Sequence, residues 1–159
     1  TRGLSEIVNG QRNCIFIGNL NAKRDWGHAE DYIKMQWLML QQKTPQDYVI
    51  ASGKQMSVRN FINKCCKYLG IKIKWIGNDE KEYAQVESVN NNKHKVKIGD
   101  KIFKVSNRYF RPNDVENLLG DPTKAIKKLK WKPIISIDLM IRKMIDNDLN
   151  LIKKKINNV

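Results

Sequence analysis

Residues 18–32 read GNLNAKRDWGHAEDY. A short apolar stretch precedes this run at residues 14–17, and it predicts a buried strand. From residue 29 to residue 41 the apolar side chains form a wide stripe, which predicts a helix buried on more than one side. The run therefore begins as a loop between a strand and a helix, and such loops often carry binding and catalytic residues.

This loop contains side chains that bind phosphate. The planar guanidinium of Arg24 can hold two phosphate oxygens, whereas Lys23 would be a looser point charge. The alternative is a surface loop in which Arg24 pairs with Asp25 or Asp31. The residues by themselves favour this alternative, because charged surface loops are common.

The rest of the chain gives clear signals for further strands and helices. We predict strands at 48–51 and 71–76, and a hairpin in which strands 96–98 and 102–105 flank Gly99-Asp100. Ser57, Asp121-Pro122 and Ser136 each predict a helix start, and Gly70 predicts the end of the first of these helices. Residues 78–95 are polar and predict a loop or insertion, and residues 150–159 predict a basic tail.

Composition excludes several classes of protein. The net charge is +14, but the lysines are scattered through a chain that is also rich in Asn and Ile, so we expect no nucleic-acid partner. The apolar runs fall far short of the roughly 20 residues of a membrane span, so we expect no membrane partner. Cys14, Cys65 and Cys66 lack the spacing of a zinc site, and their odd, sparse count suits a reducing cytoplasm. The first residue is not Met and no signal peptide is visible, so we expect the chain to begin within a longer protein.

The run at 18–32 resembles the signature of the GDP-mannose 4,6-dehydratases, which are extended short-chain dehydrogenase/reductases. Further segments are similar to this family in order and spacing: 37–42, 47–51, 57–59, 108–112, 119–125 and 129–133. The resemblance implies an α/β fold in which residues 1–159 are the C-terminal substrate-binding region. It also implies that helix 29–41 and strand 48–51 complete a Rossmann domain whose N-terminal half is absent from this chain.

The resemblance also implies a set of substrate-binding residues. Gly18 and Asn19 would lie against the GDP moiety, and Arg24 and Arg111 would bind its diphosphate. Asp114 stands where the family usually has Glu, which accepts hydrogen bonds from the ribose hydroxyls. For Arg111 the alternative is a structural pair with a carboxylate.

Two residues near these motifs have structural interpretations. We expect His28, at the start of the predicted helix, to be structural rather than catalytic. Lys130 stands where relatives commonly have Gly or Asn, and a left-handed backbone there would cost about 1 kcal/mol.

The activity implied by the resemblance is that of a lyase which converts GDP-mannose to GDP-4-keto-6-deoxymannose, in the pathway to GDP-fucose. In the family NADP supplies the hydride chemistry, and a Thr, a Glu and a Tyr-x-x-x-Lys pair complete the catalytic set. We find no Gly-x-Gly-x-x-Gly and expect the Tyr-x-x-x-Lys pair, and hence all catalytic and NADP-binding residues, outside this chain. We therefore expect the chain alone to be inactive and marginally soluble, and the complete enzyme to be a homo-oligomer.

Two other interpretations remain open at this point. In the first, the chain is part of another GDP-sugar epimerase or reductase. In the second, it is a non-enzymatic basic module that binds nucleic acid. The catalytic residues upstream would separate the first from the dehydratase. The salt dependence of nucleic-acid binding would test the second.

Overall fold

The computed structural model describes residues 1–109 and 115–157. Its helices and strands are, in chain order, α1 (Arg2–Val8), β1 (Ile15–Ile17), β2 (Lys23–Asp25), α2 (Ala29–Leu40), β3 (Gln55–Ser57), α3 (Val58–Tyr68), β4 (Ile71–Ile76), β5 (Tyr83–Val89), β6 (Lys101–Val105), α4 (Thr123–Leu129) and α5 (Ile137–Asn157). Short 3-10 helices lie at Asp79–Lys81 and Asn107–Tyr109. This α/β composition confirms the predicted fold class. No helix in the described ranges combines the length and the apolar character needed to cross a bilayer.

Four of the strands form a mixed sheet in the order β1-β6-β5-β4. β1 pairs parallel with β6, so that Ile15 lies opposite Phe103, and the other two pairs are antiparallel. β2 and β3 form a separate antiparallel pair in which Arg24 lies opposite Met56. The loop that follows β1 therefore leads from the large sheet into the small one.

Three helices, α1, α3 and α5, pack with the large sheet around the main core. Their buried apolar residues recur at helical spacing, which places them on one face of each helix. The buried residues of the three helices in this core are Leu4, Ile7, Val8, Ile62, Cys65, Cys66, Ile141 and Ile145. Full burial of an aliphatic side chain contributes about 1.5–3 kcal/mol, so these helices and the sheet stabilise one another.

Helix α3 has the boundaries that its sequence predicts. Ser57 Oγ accepts a hydrogen bond from Asn60 N at 3.2 Å, which caps the first turn. Gly70, at φ +71°, takes the left-handed conformation that follows the helix end. Cys65 and Cys66 are buried in its apolar face, as expected for cysteines that act as small hydrophobic residues.

A second, smaller core joins α2 to the region around α4. Met35 of α2 packs in one buried cluster with Ala125, Leu129 and Trp131. Between the last two of these, Lys130 has φ +53°, so the left-handed conformation considered from the sequence is present. This residue turns the chain out of α4 and directs Trp131 into the core.

The polar segment 78–95 is not a loop throughout, so the loop that we predicted there is wrong for residues 83–89, whereas its being an insertion stays a prediction. β5 occupies residues 83–89 and lies between β4 and β6 in the sheet. Its buried residues Ala84 and Val86 alternate with polar neighbours, and this period of two was hidden by the overall polarity of the segment. The turn at Gly99-Asp100 exists, but residues 96–98 are not a strand.

Segment 48–51 and helix α2 also differ from expectation. Residues 48–51 form no strand, since no described residue pairs with their backbone. α2 is not buried on several sides, because Ile33, Trp37 and Leu40 are 64%, 58% and 81% exposed. Part of the apolar stripe that predicted burial therefore lies uncovered in this chain, while Met35 is buried.

The ends of the chain contain more helix than the sequence suggested. α5 continues to residue 157 and buries Ile152, so most of the predicted basic tail at 150–159 is helical. α4 starts at Thr123, whose amide donates to Asp121 Oδ1 at 2.9 Å. α1 was not predicted.

Candidate functional site

The loop after β1 is held in shape by its own amide side chain. Asn19 Oδ1 accepts hydrogen bonds from Asn21 N at 2.9 Å and from Ala22 N at 3.2 Å. This is a local turn of the kind that Asn favours. Leu20 and Ala22 are buried and anchor the loop to the core. Gly18 and Asn19, both predicted to lie at the substrate, are half-buried in this ordered segment.

Arg24 lies on β2, where the chain contacts a distant segment. Its Nη1 donates to Val115 O at 2.6 Å and to Lys23 O at 2.8 Å. The backbone of Lys23 donates to Glu116 O at 2.7 Å and accepts from Leu118 N at 3.2 Å. The guanidinium is therefore fixed beside the segment that begins at residue 115.

Two further predicted substrate-binding residues, Arg111 and Asp114, lie within four positions before that segment. Arg111 and Asp114 lie outside the described residues, so their roles remain predictions. The backbone carbonyl of Val115 accepts a hydrogen bond from Arg24. The sequence thus places Asp114 next to a residue that contacts Arg24, across 91 positions of the chain.

The acidic residues near Arg24 bind backbone amides. Asp25 accepts from Ser52 N at 2.7 Å and from Gly53 N at 2.9 Å, one bond to each carboxylate oxygen. It thereby attaches the turn at 52–53 to β2. Our sequence interpretation considered Asp25 only as a partner for Arg24 and missed this role.

Asp31 is the one buried carboxylate among the described residues. Its Oδ2 accepts from Ile134 N at 3.1 Å and from Ile135 N at 2.9 Å. Its backbone carbonyl accepts from Trp131 Nε1 at 3.0 Å. Because a buried carboxylate must be satisfied by donors, Asp31 fixes the segment after α4 against α2.

Trp26 and His28 of the motif make structural contacts. Trp26 stacks on Phe61 with ring centroids 4.2 Å apart, and its Nε1 donates to Met56 O at 2.8 Å. His28 Nδ1 accepts from Glu30 N at 3.2 Å and caps α2, so this histidine makes the kind of structural contact that we expected of it.

Close packing explains one glycine of the motif. A Cβ on Gly27 would lie 2.1 Å from the hydroxyl oxygen of Tyr32. Only a glycine allows Tyr32 to take this position, and the motif contains both residues.

A polar cavity of about 430 Å³ lies beside the loop at residues 18–22. Gly18, Asn19 and Asn21 line it together with Arg59 and Glu82. Both oxygens of the Glu82 carboxylate accept from the Arg59 guanidinium. The sequence interpretation used Arg59 only as part of a family motif and did not identify this ion pair.

Within residues 1–109 and 115–157, no strand leads through a glycine-rich turn into a helix. In a dinucleotide-binding fold a glycine-rich turn leads from a strand directly into a helix. Here β1 leads through Gly18 into β2, and α3 begins at the Ser57 cap. No group of three or more potential ligand side chains suited to a metal occurs within residues 1–109 and 115–157.

A Tyr-x-x-x-Lys spacing does occur, at Tyr68 and Lys72, contrary to our expectation. Tyr68 ends α3 and Lys72 lies on β4, so the two do not share the face of one helix. Tyr68 donates to Asp146 at 2.7 Å, and this hydrogen bond raises the pKa of the tyrosine. Lys72 pairs with Glu87 at 3.1 Å. Both residues therefore have structural partners.

Solved structures of known proteins share this fold. RMD from Pseudomonas aeruginosa, complexed with NADPH, superposes with a TM-score of 0.67 at 14% identity, over 94% of this chain and 40% of that one. UDP-glucose 4-epimerase from Bifidobacterium longum, with NAD+ and UDP, superposes with a TM-score of 0.62 at 18% identity, over 100% and 40%. The fold is that of the C-terminal portion of an extended short-chain dehydrogenase/reductase.

Sequence comparison then gives the family. The family model described as GDP-mannose 4,6 dehydratase matches residues 1–144, and the chain belongs to this family. GDP-mannose 4,6-dehydratase of Vibrio cholerae serotype O1 is 50% identical over 150 residues, which are 94% of this chain and 40% of the relative. The human protein of that name is 41% identical over 157 residues, 99% of this chain and 40% of the relative. The predicted resemblance is confirmed, and the chain spans about 40% of the length of these relatives.

Proposed function

We propose that this chain is the GDP-mannose-binding part of a GDP-mannose 4,6-dehydratase, whose product is GDP-4-keto-6-deoxymannose. The family match over residues 1–144 is the observation that carries this proposal. Membership of this family favours the dehydratase over an epimerase, a reductase or a nucleic-acid-binding module.

The substrate site of this proposal contains Gly18, Asn19, Arg24, Arg111 and Asp114. Arg24 is suited to the diphosphate because two backbone carbonyls fix its guanidinium, at 2.6 and 2.8 Å. An oriented guanidinium binds a phosphate without first losing side-chain freedom. Arg111 and Asp114 would complete the site from the segment before Val115, with Asp114 accepting from the ribose hydroxyls.

The chemistry of the reaction is assigned to residues outside this chain. NADP, when bound there, supplies hydride removal and return at the sugar. The part of this chain is to hold the nucleotide and keep the sugar in register with that centre. We propose accordingly that the chain alone converts no GDP-mannose, and product formation by the purified chain supplied with NADP would refute this.

The exposed apolar face of α2 supports a missing partner. Ile33, Trp37 and Leu40 are the exposed part of a stripe that would normally be buried. We assign this face to contact with the cofactor-binding half of the complete enzyme. The chain alone is then expected to enhance the fluorescence of an apolar dye, and Trp37→Glu to reduce that signal.

Titration of GDP into the purified chain tests the binding function directly. Calorimetry should detect binding to the wild type, and Arg24→Ala should weaken it about 10- to 100-fold, the value of a charge-assisted contact. Arg142→Ala is the matched control, because it removes the same charge from the exposed surface of α5. Absence of GDP binding by the wild type, or equal losses in both variants, would contradict the proposal.

A further inference from the structure

Arg59 connects three parts of the fold beside the loop at residues 18–22. Its Nη2 donates to Asn21 Oδ1 at 3.2 Å, and the same atom donates to Glu82 Oε2 at 2.9 Å. Its backbone N–H donates to Leu20 O at 2.9 Å. One residue at the start of α3 thus binds the loop through both backbone and side chain, and joins it to Glu82, the residue before β5.

The surroundings of Arg59 restrict its movement. The side chains of Arg59 and Glu82 are only 25% and 11% exposed, and their contact uses both carboxylate oxygens. The guanidinium also lies 4.9 Å from the ring centroid of Trp75, whose Nε1 donates to Asn63 at 3.0 Å. A bidentate contact and an aromatic face together define the plane of a guanidinium. The fixed groups therefore form a rigid support for Asn21.

The supported loop leads directly to Arg24. Val58 N donates to Ala22 O at 3.1 Å, and the next residue, Lys23, pairs with Ser57 where β2 meets β3. A displacement of the loop at Asn21 would therefore change the path of the chain immediately before Arg24. The three groups Asn21, Arg59 and Glu82 act on Arg24 through the backbone.

We infer that Arg59 is a positioning residue, which acts through Asn21 and Glu82 to set the position of Arg24 for a nucleoside diphosphate. The inference rests on the proposed function of the chain. Arg59 itself is not assigned a contact with the nucleotide, since Glu82, Asn21 and Trp75 surround its guanidinium.

Substitution of Asn21 tests this without leaving Glu82 unpaired. Asn21→Ala removes the loop-side acceptor, and we expect GDP to bind about fivefold more weakly, since one hydrogen bond contributes about 1 kcal/mol. Asn21→Asp keeps an acceptor for Nη2 and should restore GDP binding to near the wild-type value. Asn92→Ala, at an exposed asparagine of the polar segment, is the matched control and should change nothing.

Two measurements accompany the titrations. Hydrogen exchange of the amides of Asn21 and Ala22 should accelerate in Asn21→Ala and recover in Asn21→Asp. The melting temperatures should stay close to that of the wild type, so that a weaker affinity reports position and not unfolding.

The possible results distinguish the positioning role of Arg59 from the GDP-binding function of the chain. If the wild type binds GDP and Asn21→Ala binds it equally well, the positioning role is overturned while the binding function stands. Faster exchange with unchanged affinity also overturns it, because the loop would then be ordered without effect on the site. If the wild type binds no GDP, both proposals fail together. Weaker binding that Asn21→Asp does not restore would likewise refute the role of the Arg59 contact.

Discussion

Replacement of Lys130 by glycine measures the free energy stored in the turn after α4. Lys130 has φ +53° and ψ +25°, where the Cβ of an L-residue crowds its own backbone at a cost of about 1–2 kcal/mol. Its charge lies at the C-terminus of a helix and stabilises it by about 0.3–1 kcal/mol. The conformational effect is the larger of the two, so Lys130→Gly should increase the free energy of unfolding.

Lys130→Ala separates these two effects, because alanine lacks the charge and retains the Cβ. The glycine variant should be the more stable of the pair by about 1 kcal/mol. For a chain of this length that difference corresponds to a rise of about 2–4 °C in Tm. Differential scanning calorimetry of both variants provides the measurement. Equal melting temperatures would show that no strain at this residue is relieved by glycine, and would refute the reasoning.

Three further experiments test the packing within the fold. Asp31→Ala leaves two backbone amides without their acceptor and should lower the free energy of unfolding in urea by about 2–4 kcal/mol. Asp31→Asn keeps a side-chain oxygen and should lower it much less. Similar decreases in the two variants would contradict the role of the side-chain oxygen as acceptor. Gly27→Ala should lower the free energy of unfolding by about 1–3 kcal/mol through overpacking against Tyr32. In a protein that already carries Tyr32→Ala, the same Gly27→Ala change should lower it by less. A thiol reagent should modify Cys14 well before Cys66, because burial raises the pKa of Cys66 to about 12. Mass spectrometry of the protein during the reaction gives the order of modification. If Cys66 reacts before Cys14, the core opens readily and the expectation is wrong.

The elements predicted correctly are those whose signal is local. The three-four spacing between the Ser57 cap and Gly70 defines α3 without reference to any other part of the chain. Likewise, the apolar residues of β4 alternate with lysines, and Lys130 follows a helix whose last turn is evident from the sequence. Such patterns need no knowledge of tertiary contacts.

The missed elements depend on partners elsewhere. β5 has two buried residues, Ala84 and Val86, and it forms a strand because β4 and β6 pair with it on either side. Residues 48–51 have strand composition but no described neighbour with which to pair. Backbone pairing over such distances is not encoded in a short window of sequence.

The same distinction applies to the candidate site. Arg24 was identifiable because the motif around it is contiguous. The Arg59 cluster was not, since its partners Asn21 and Glu82 lie 38 and 23 positions away. The segment that contains Arg59 matches a family motif, but such a match does not specify what the side chain contacts.

The packing of α1 against α5 affects how the chain folds during synthesis. These helices are the first and last elements of the described chain, and they contact each other in the main core. A ribosome must therefore release α5 before Leu4 and Ile7 can reach their final neighbours Ile141 and Ile145. Until then α1 lacks these neighbours, and a stop codon placed before α5 would yield a product that cannot complete its core.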